Sequence, residues 1–184
     1  MPNNKVHYII TSVTLGAIAA SSALLISLTN LATRKQIDIN EKNKINAGIS
    51  EIFGENTEIS KEYAIKDFKY TNYVYEVKRE GESSEMFAFR TSGSNSYGKI
   101  SLLVGFNYYQ IPGGEEFEYV FSSISVIVNE QTYASTLVEN YIDPVNDNKR
   151  NYEDVSCGAT YGAKLIRDMI NEAKEVTKTD FRKE

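Results

Sequence analysis

The stretch YGKISLLVGF, residues 97–106, decides how this chain is read. Its apolar side chains run almost without interruption, and none of the three-to-four-residue spacing of an amphipathic helix is present. A short apolar run rich in β-branched and aromatic residues reads as a buried strand. Three further stretches share its composition: YVYEVKRE (73–80), EMFAFRT (85–91) and FEYVFSSISVIV (117–128). Turn-forming residues separate them, at Gly81, in SGSNS (92–96) and in IPGGEE (111–116). The expectation is an antiparallel sheet of about four strands.

Outward from this block the period changes. Toward the C-terminus, residues 130–141 read as a short helix, and DPVNDNKRN (143–151) reads as a polar loop. Residues 161–176 read as an amphipathic helix, with Leu165, Ile166, Met169, Ile170 and Ala173 on its buried face. The last residues, TKTDFRKE (177–184), have the composition of a frayed tail. Toward the N-terminus, Ile37, Ile45, Ile49, Ile52 and Phe53 recur at mostly helical spacing, which predicts a stalk helix ending at Gly54. The fold class is α+β, an antiparallel β-sheet packed with helices.

Residues 6–33 contain no Asp, Glu, Lys or Arg. As a helix this stretch is roughly 42 Å long at about 1.5 Å per residue, more than the ~30 Å hydrocarbon core. Its serines and threonines can bond back to helical carbonyls. Gly16, Ala19, Ala20 and Ala23 suit close helix–helix contact within a membrane complex. The reading is a single N-terminal transmembrane helix; the rivals are a cleaved signal sequence, which would release a secreted ligand-binding module, and a buried soluble helix. Lys5 on one flank and Arg34 and Lys35 on the other leave the orientation open. The expected organisation is an anchor at 1–35, a stalk helix and linker at 36–60, a folded domain at 61–178 and a tail at 179–184.

Composition excludes several functions. A net charge of −5 without a basic patch argues against nucleic acid as a partner. Cys157 is the single cysteine, so no intramolecular disulfide forms, and no Cys/His spacing resembles a zinc site. His7 is the single histidine and lies before the folded domain, which rules out a Ser-His-Asp or Cys-His arrangement there. No catalytic residue and no metal ligand is assigned.

One stretch carries chemistry of its own. DVSCGATYGAKLIRDMINEAK (154–174) passes through a run of small residues into the last helix. The first turn of a helix has unpaired N–H groups and attracts anions such as phosphate. Gly158 and Ala159 keep side-chain bulk away from that backbone, and Thr160 adds a hydroxyl. The plainer reading makes Thr160 a helix N-cap, and Cys157 a small buried residue rather than a redox thiol.

The residues DVSCGAT resemble the flavinylation motif of the FMN-binding domain family. In that motif an aspartate, two variable residues, Ser or Thr, and then Gly-Ala-Thr mark a threonine esterified to the phosphate of FMN. Asp154, Gly158, Ala159 and Thr160 match, and Cys157 stands in the Ser/Thr place. The strand-pair residues SYGKISLLVGFN (96–107), the N-terminal anchor and the stalk occur in the family's order. Members similar in layout are the G subunit of the Rnf ion-translocating complex and the C subunit of the sodium-translocating NADH:quinone reductase. The resemblance implies FMN held covalently on Thr160, attached by a separate flavin transferase that uses FAD and magnesium. It implies a membrane electron-carrier subunit, rather than a stand-alone enzyme, working beside other redox-complex subunits with its domain outside the cytoplasm. The family's Glu-Thr-Pro-Gly-x-Gly loop corresponds to QTYAST (131–136), which keeps Thr132 and loses the acid, the proline and both glycines. The implied cofactor-binding set is Asp154, Cys157, Gly158, Ala159, Thr160 and Thr132, with Tyr97, Tyr133 and Tyr161 as candidate ring contacts. The altered loop leaves a second expectation open: a degenerate, flavin-free structural or docking subunit.

Overall fold

The structure is a computed structural model and describes residues 4–79, 81, 85–110 and 117–183. The expected turn at 111–116 lies outside the described residues. The chain divides into two units, Met1–Asn43 and Lys44–Glu184.

Helix α1 spans Asn4–Phe53. In the first unit it is long and apolar enough to cross a membrane, and its large apolar side chains, Ile9, Val13, Leu25 and Leu31 among them, lie on the surface. The hydroxyls of Thr11, Thr14, Ser21, Ser22, Thr29 and Thr33 each donate to the carbonyl four residues back, at 2.8–2.9 Å. These bonds satisfy the six hydroxyls within the helix's own backbone.

The second unit is built on five antiparallel strands in sequential order: β1 (Thr57–Ala64), β2 (Thr71–Arg79), β3 (Glu85–Asn95), β4 (Gly98–Gln110) and β5 (Phe117–Asn129). The sequence expectation of about four strands omits β1. That strand is an edge strand that buries none of its residues fully, so it shows no apolar alternation. Strand β3 also runs on through Asn95, so most of SGSNS is strand and the hairpin turn narrows to Ser96 and Tyr97.

Both faces of the sheet are covered, because alternate residues of the central strands are apolar in both directions. One face presents Val74, Phe87, Phe89, Ile100, Leu102, Val104, Phe106 and Ile124 to the last helix, α4 (Thr160–Thr177). The α4 residues Leu165, Ile166, Met169, Ile170 and Ala173 are all buried there, as their spacing predicts. The opposite face presents Tyr75, Val77, Met86, Ala88, Leu103 and Ile127 to Ile45, Ile49 and Phe53 at the end of α1. Residues 45–53, read from sequence as stalk, are thus one layer of this core.

The helical segment after β5 starts later and ends later than the expected 130–141. It comprises α2 (Ala134–Leu137), a π-helical turn (Val138–Ile142) and α3 (Asp143–Asn146). Pro144 would clash with a carbonyl in the preceding turn of a regular α-helix, and a wider π turn relieves that contact. DPVN is therefore helix, and the loop begins at Asp147. Asn146 clamps this segment to the sheet edge, accepting from the N–H of Ile124 and donating to its carbonyl, both at 2.8 Å.

The carboxylate of Glu172 on α4 accepts the N–H groups of Lys69, Tyr70 and Thr71 at 3.0, 2.7 and 2.7 Å, fixing the entry to β2. The C-terminal residues do not fray through Lys183. Phe181 is buried, with its ring against Tyr63, Phe87 and Phe89 at 5.8, 5.8 and 5.9 Å. Arg182 pairs with Glu85 at 2.8 Å and lies over the ring of Phe87.

Candidate functional site

The loop leading to α4 is organised by Arg150. Its guanidinium donates to the carbonyls of Asp154 and Ser156 at 3.2 and 2.9 Å and pairs with the Asp154 carboxylate at 3.5 Å. Asp154 in turn accepts the N–H of Ser156 at 3.1 Å. Gly158 then takes a positive φ of 79°, a conformation that a residue with a Cβ rarely adopts. Cys157 is buried in the main core, close to the fully buried Tyr141. Burial pushes the Tyr141 phenol well up, and its hydroxyl donates to the carbonyl of Tyr152.

Helix α4 begins with Thr160 as its first helical residue, and its N-cap position falls on Ala159. Thr160 is therefore not the N-cap, which corrects the plainer sequence reading. Alanine has no oxygen with which to cap a helix, and no side chain does so here. The first intrahelical bond is Ala163 N–H to the Ala159 carbonyl at 3.1 Å. The N–H groups of Thr160, Tyr161 and Gly162 have no partner among the described residues, nor has the Thr160 hydroxyl.

These groups line a cleft of about 290 Å³ together with Tyr97, Gln131, Tyr133 and Leu137. Its far wall is a latch between the β3–β4 turn and residues 129–132. Glu130 N–H donates to the Lys99 carbonyl, and Thr132 donates to the Tyr97 carbonyl through both its N–H, at 2.8 Å, and its hydroxyl, at 3.1 Å. Gln131 donates its side-chain N–H to the Gly98 carbonyl. Asn95 ties the turn to α4 by donating to the Tyr161 carbonyl at 3.2 Å and accepting from Tyr97 N–H at 2.9 Å. Gly98 permits the latch, since a Cβ there would lie 2.1 Å from the Glu130 carbonyl oxygen.

The sequence candidates take three kinds of place. Gly158, Ala159 and Thr160 line the cleft with Tyr97, Tyr133 and Tyr161. Asp154 and Cys157 lie outside the lining, where they shape the loop, and Thr132 fastens the latch. Tyr97 is the centre of the aromatic group, 5.4 Å from Tyr161 with rings inclined 27°, and 6.1 Å from Tyr133 at 49°. Sequence reasoning missed the parts played by Arg150, Gln131 and Asn95. Only Arg150 carried a signal, a guanidinium four residues before Asp154. Among the described residues, no group of three or more His, Cys, Asp or Glu side chains is arranged to hold a metal ion.

No family model, no curated protein and no solved structure matches this chain.

Proposed function

We propose that this chain is a membrane-anchored electron-transfer subunit that carries FMN through a phosphoester on Thr160. The observation that carries the reading is the start of α4. Three unpaired backbone N–H groups and an unpartnered threonine hydroxyl meet in one cleft, at a helix end that no side chain caps. These groups suit a phosphate bonded to Thr160 Oγ: the helix end favours its charge, and Gly158 and Ala159 leave the approach clear.

A covalent link fits the magnitudes better than a cradle alone. A helix N-terminus contributes about 0.3–1 kcal/mol toward an anion, and about 2 kcal/mol at most. Nanomolar retention of a diffusible cofactor takes about 12 kcal/mol. Attachment by a flavin transferase would join Thr160 Oγ to the FMN phosphorus of FAD, breaking the pyrophosphate bridge, with AMP leaving and the threonine proton passing to solvent. Bound FMN supplies electron exchange, and the chain supplies position and surroundings. The apolar helix would hold the domain at the membrane surface, on the extracytoplasmic side, beside other subunits of a Rnf-like or related redox chain.

The test is intact mass of the full chain co-expressed with a flavin transferase, beside Thr160→Val. The expected result is a gain of one FMN less one water, absent in the variant. An unlabelled wild-type chain, with a related domain labelled by the same transferase, would reject the reading. One observation favours the second reading, a flavin-free structural or docking subunit: Tyr97 already stacks on Tyr161 at the cleft. That reading requires Thr160→Val to leave mass and assembly unchanged.

A further inference from the structure

We infer that an aromatic box at the outer end of the sheet is a docking site for a segment of a partner chain in which an aromatic residue precedes an arginine. Phe181 and Arg182 occupy the box in cis and keep it closed. The site is independent of the flavin reading and lies away from the cleft. Glu85 pairs with Tyr108 at one end of the β3–β4 ladder, and Asn95 pairs with Gly98 at the other, beside the cleft. The strand between these pairs runs for roughly 33 Å at about 3.3 Å per residue.

Four strands build the box. Tyr63 of β1, Phe87 and Phe89 of β3 and Tyr119 of β5 surround the Phe181 ring, with centroids 5.8, 5.8, 5.9 and 6.4 Å away. Arg182 uses a second set of walls. Its guanidinium lies over the rings of Phe87 and Tyr108, 4.8 and 5.1 Å from their centroids. It donates to the Glu85 carboxylate at 2.8 Å and to the Tyr119 hydroxyl at 3.3 Å. Ring faces, a carboxylate and a phenol converging on one cation are the elements of an aromatic cage for guanidinium or alkylammonium groups. The ligand chemistry is thus visible in cis: an apolar ring inside and a planar cation at the rim.

The occupant is attached so that it can leave. Helix α4 closes its own end, with Lys178 N–H donating to the Glu175 carbonyl at 3.1 Å and Thr179 N–H to that of Val176 at 2.9 Å. Lys178, Thr179 and Asp180 are exposed, and Phe181 alone is buried among the described residues after α4. The ion pair stays within reach of water, with the Arg182 and Glu85 side chains 35 % and 40 % exposed. One ring and one half-exposed ion pair can release locally while the sheet stays folded. So short a tether gives the cis segment an effective concentration on the order of millimolar. A partner displaces it by presenting the same two side chains together with contacts outside the box.

The probe is a blocked pentapeptide with the sequence of residues 178–182, KTDFR, titrated into the full chain in neutral detergent micelles. The peptide has no tyrosine and the chain no tryptophan, so tyrosine near-ultraviolet circular dichroism reads the protein alone. The receiving variant is Phe181→Ala with Arg182→Ala, which empties the box. The expected result is a saturable change in that variant, and binding at least tenfold weaker to wild type, whose own segment competes. Alanine in place of the peptide's arginine should raise Kd about tenfold. Equal titration of wild type and variant, or no saturable change in the variant, would overturn the inference. So would a double variant that fails to fold, because the segment is then part of the core and not its occupant. Arg182→Ala alone leaves the buried ring in place and is the second receiver; its affinity should fall between those of the other two chains, and a match to wild type rejects the rim. Wild-type dimers that the peptide dissolves would put a second copy in the box and reject a different partner.

Discussion

Replacing Gly98 by alanine should loosen the wall on which the candidate site depends. Gly98 has a φ of 133°, outside the usual range of residues with a side chain, and holding alanine there costs about 1–3 kcal/mol. The added Cβ would also stand 2.1 Å from the Glu130 carbonyl oxygen and 2.7 Å from its carbon. Both are backbone atoms, so neither can swing aside, and the two segments must part by about an ångström. The bonds from Glu130 N–H to Lys99 and from Thr132 N–H to Tyr97, both 2.8 Å, would stretch or break. At roughly 1 kcal/mol each, the total loss is about 3–5 kcal/mol. At about 3–4 °C per kcal/mol for a unit of this size, the melting temperature falls by roughly 10–20 °C. The assay is a thermal melt of the full chain in detergent, followed by tyrosine near-ultraviolet circular dichroism. Gly81→Ala is the control: its φ of 83° is also positive, but a Cβ there meets nothing within 4 Å. A Gly98→Ala melt no lower than that of Gly81→Ala would refute the close approach and the latch built on it.

Glu172→Ala removes the acceptor of three backbone N–H groups, two of them at 2.7 Å. Hydrogen bonds to a charged group are worth about 1.5–3 kcal/mol each and are not additive, so urea unfolding should show a loss of about 2–4 kcal/mol. A loss under 1 kcal/mol would show that water replaces the carboxylate freely. Glu76 predicts a pH dependence. Burial tends to raise its carboxyl, but bonds from Ser60 and Tyr63, each 3.0 Å, and the charges of Lys61 and Lys78 outweigh this and hold it below the usual glutamate range. A lowered folded-state value gives stability that is present above the unfolded value of about 4.3 and lost as pH falls through the folded one. Glu76→Gln should therefore be less stable than wild type at pH 7, and the gap should close as pH falls through the acid range. A gap that is constant with pH would mean that packing, not charge, is the cause.

The fold was most legible where burial is one-sided and periodic. Helix α4 repeats its apolar residues at three and four, and Leu165 through Ala173 pack as that repeat requires. Strand β1 was illegible for the converse reason, since TEISKEYA pairs at an edge through its backbone and buries no side chain fully. The end of α1 misled differently. Ile45, Ile49 and Phe53 form the same stripe whether a helix is a stalk or a core layer, and only the second apolar face of the sheet decides between them. Phe181 is one aromatic residue in a polar run, and no local pattern reports that four rings await it.

The candidate site divides along the same line. Gly158, Ala159 and Thr160 are adjacent in the chain, so their shared place at the cleft could be read from a short run of sequence. Tyr97, Tyr133 and Tyr161 could be named as candidates but not assembled, because the contacts that gather them involve residues tens of positions apart. Gln131 is the clearest case. Nothing local distinguishes a buried glutamine from a surface one, and its burial follows from the Gly98 approach, which is a tertiary fact. Under the proposed flavin reading, the motif sets where the bond forms, and the latch and the tyrosines set what lies beside it. The two are therefore separable by mutation. Thr160→Val should remove attachment and leave the cleft intact, whereas Gly98→Ala should disorder the cleft while leaving the hydroxyl in place. If Gly98→Ala accepts covalent flavin at the wild-type rate despite its lower melting temperature, then the transferase reads the 154–160 loop alone. Loss of labelling in both variants would mean instead that the transferase requires the assembled cleft.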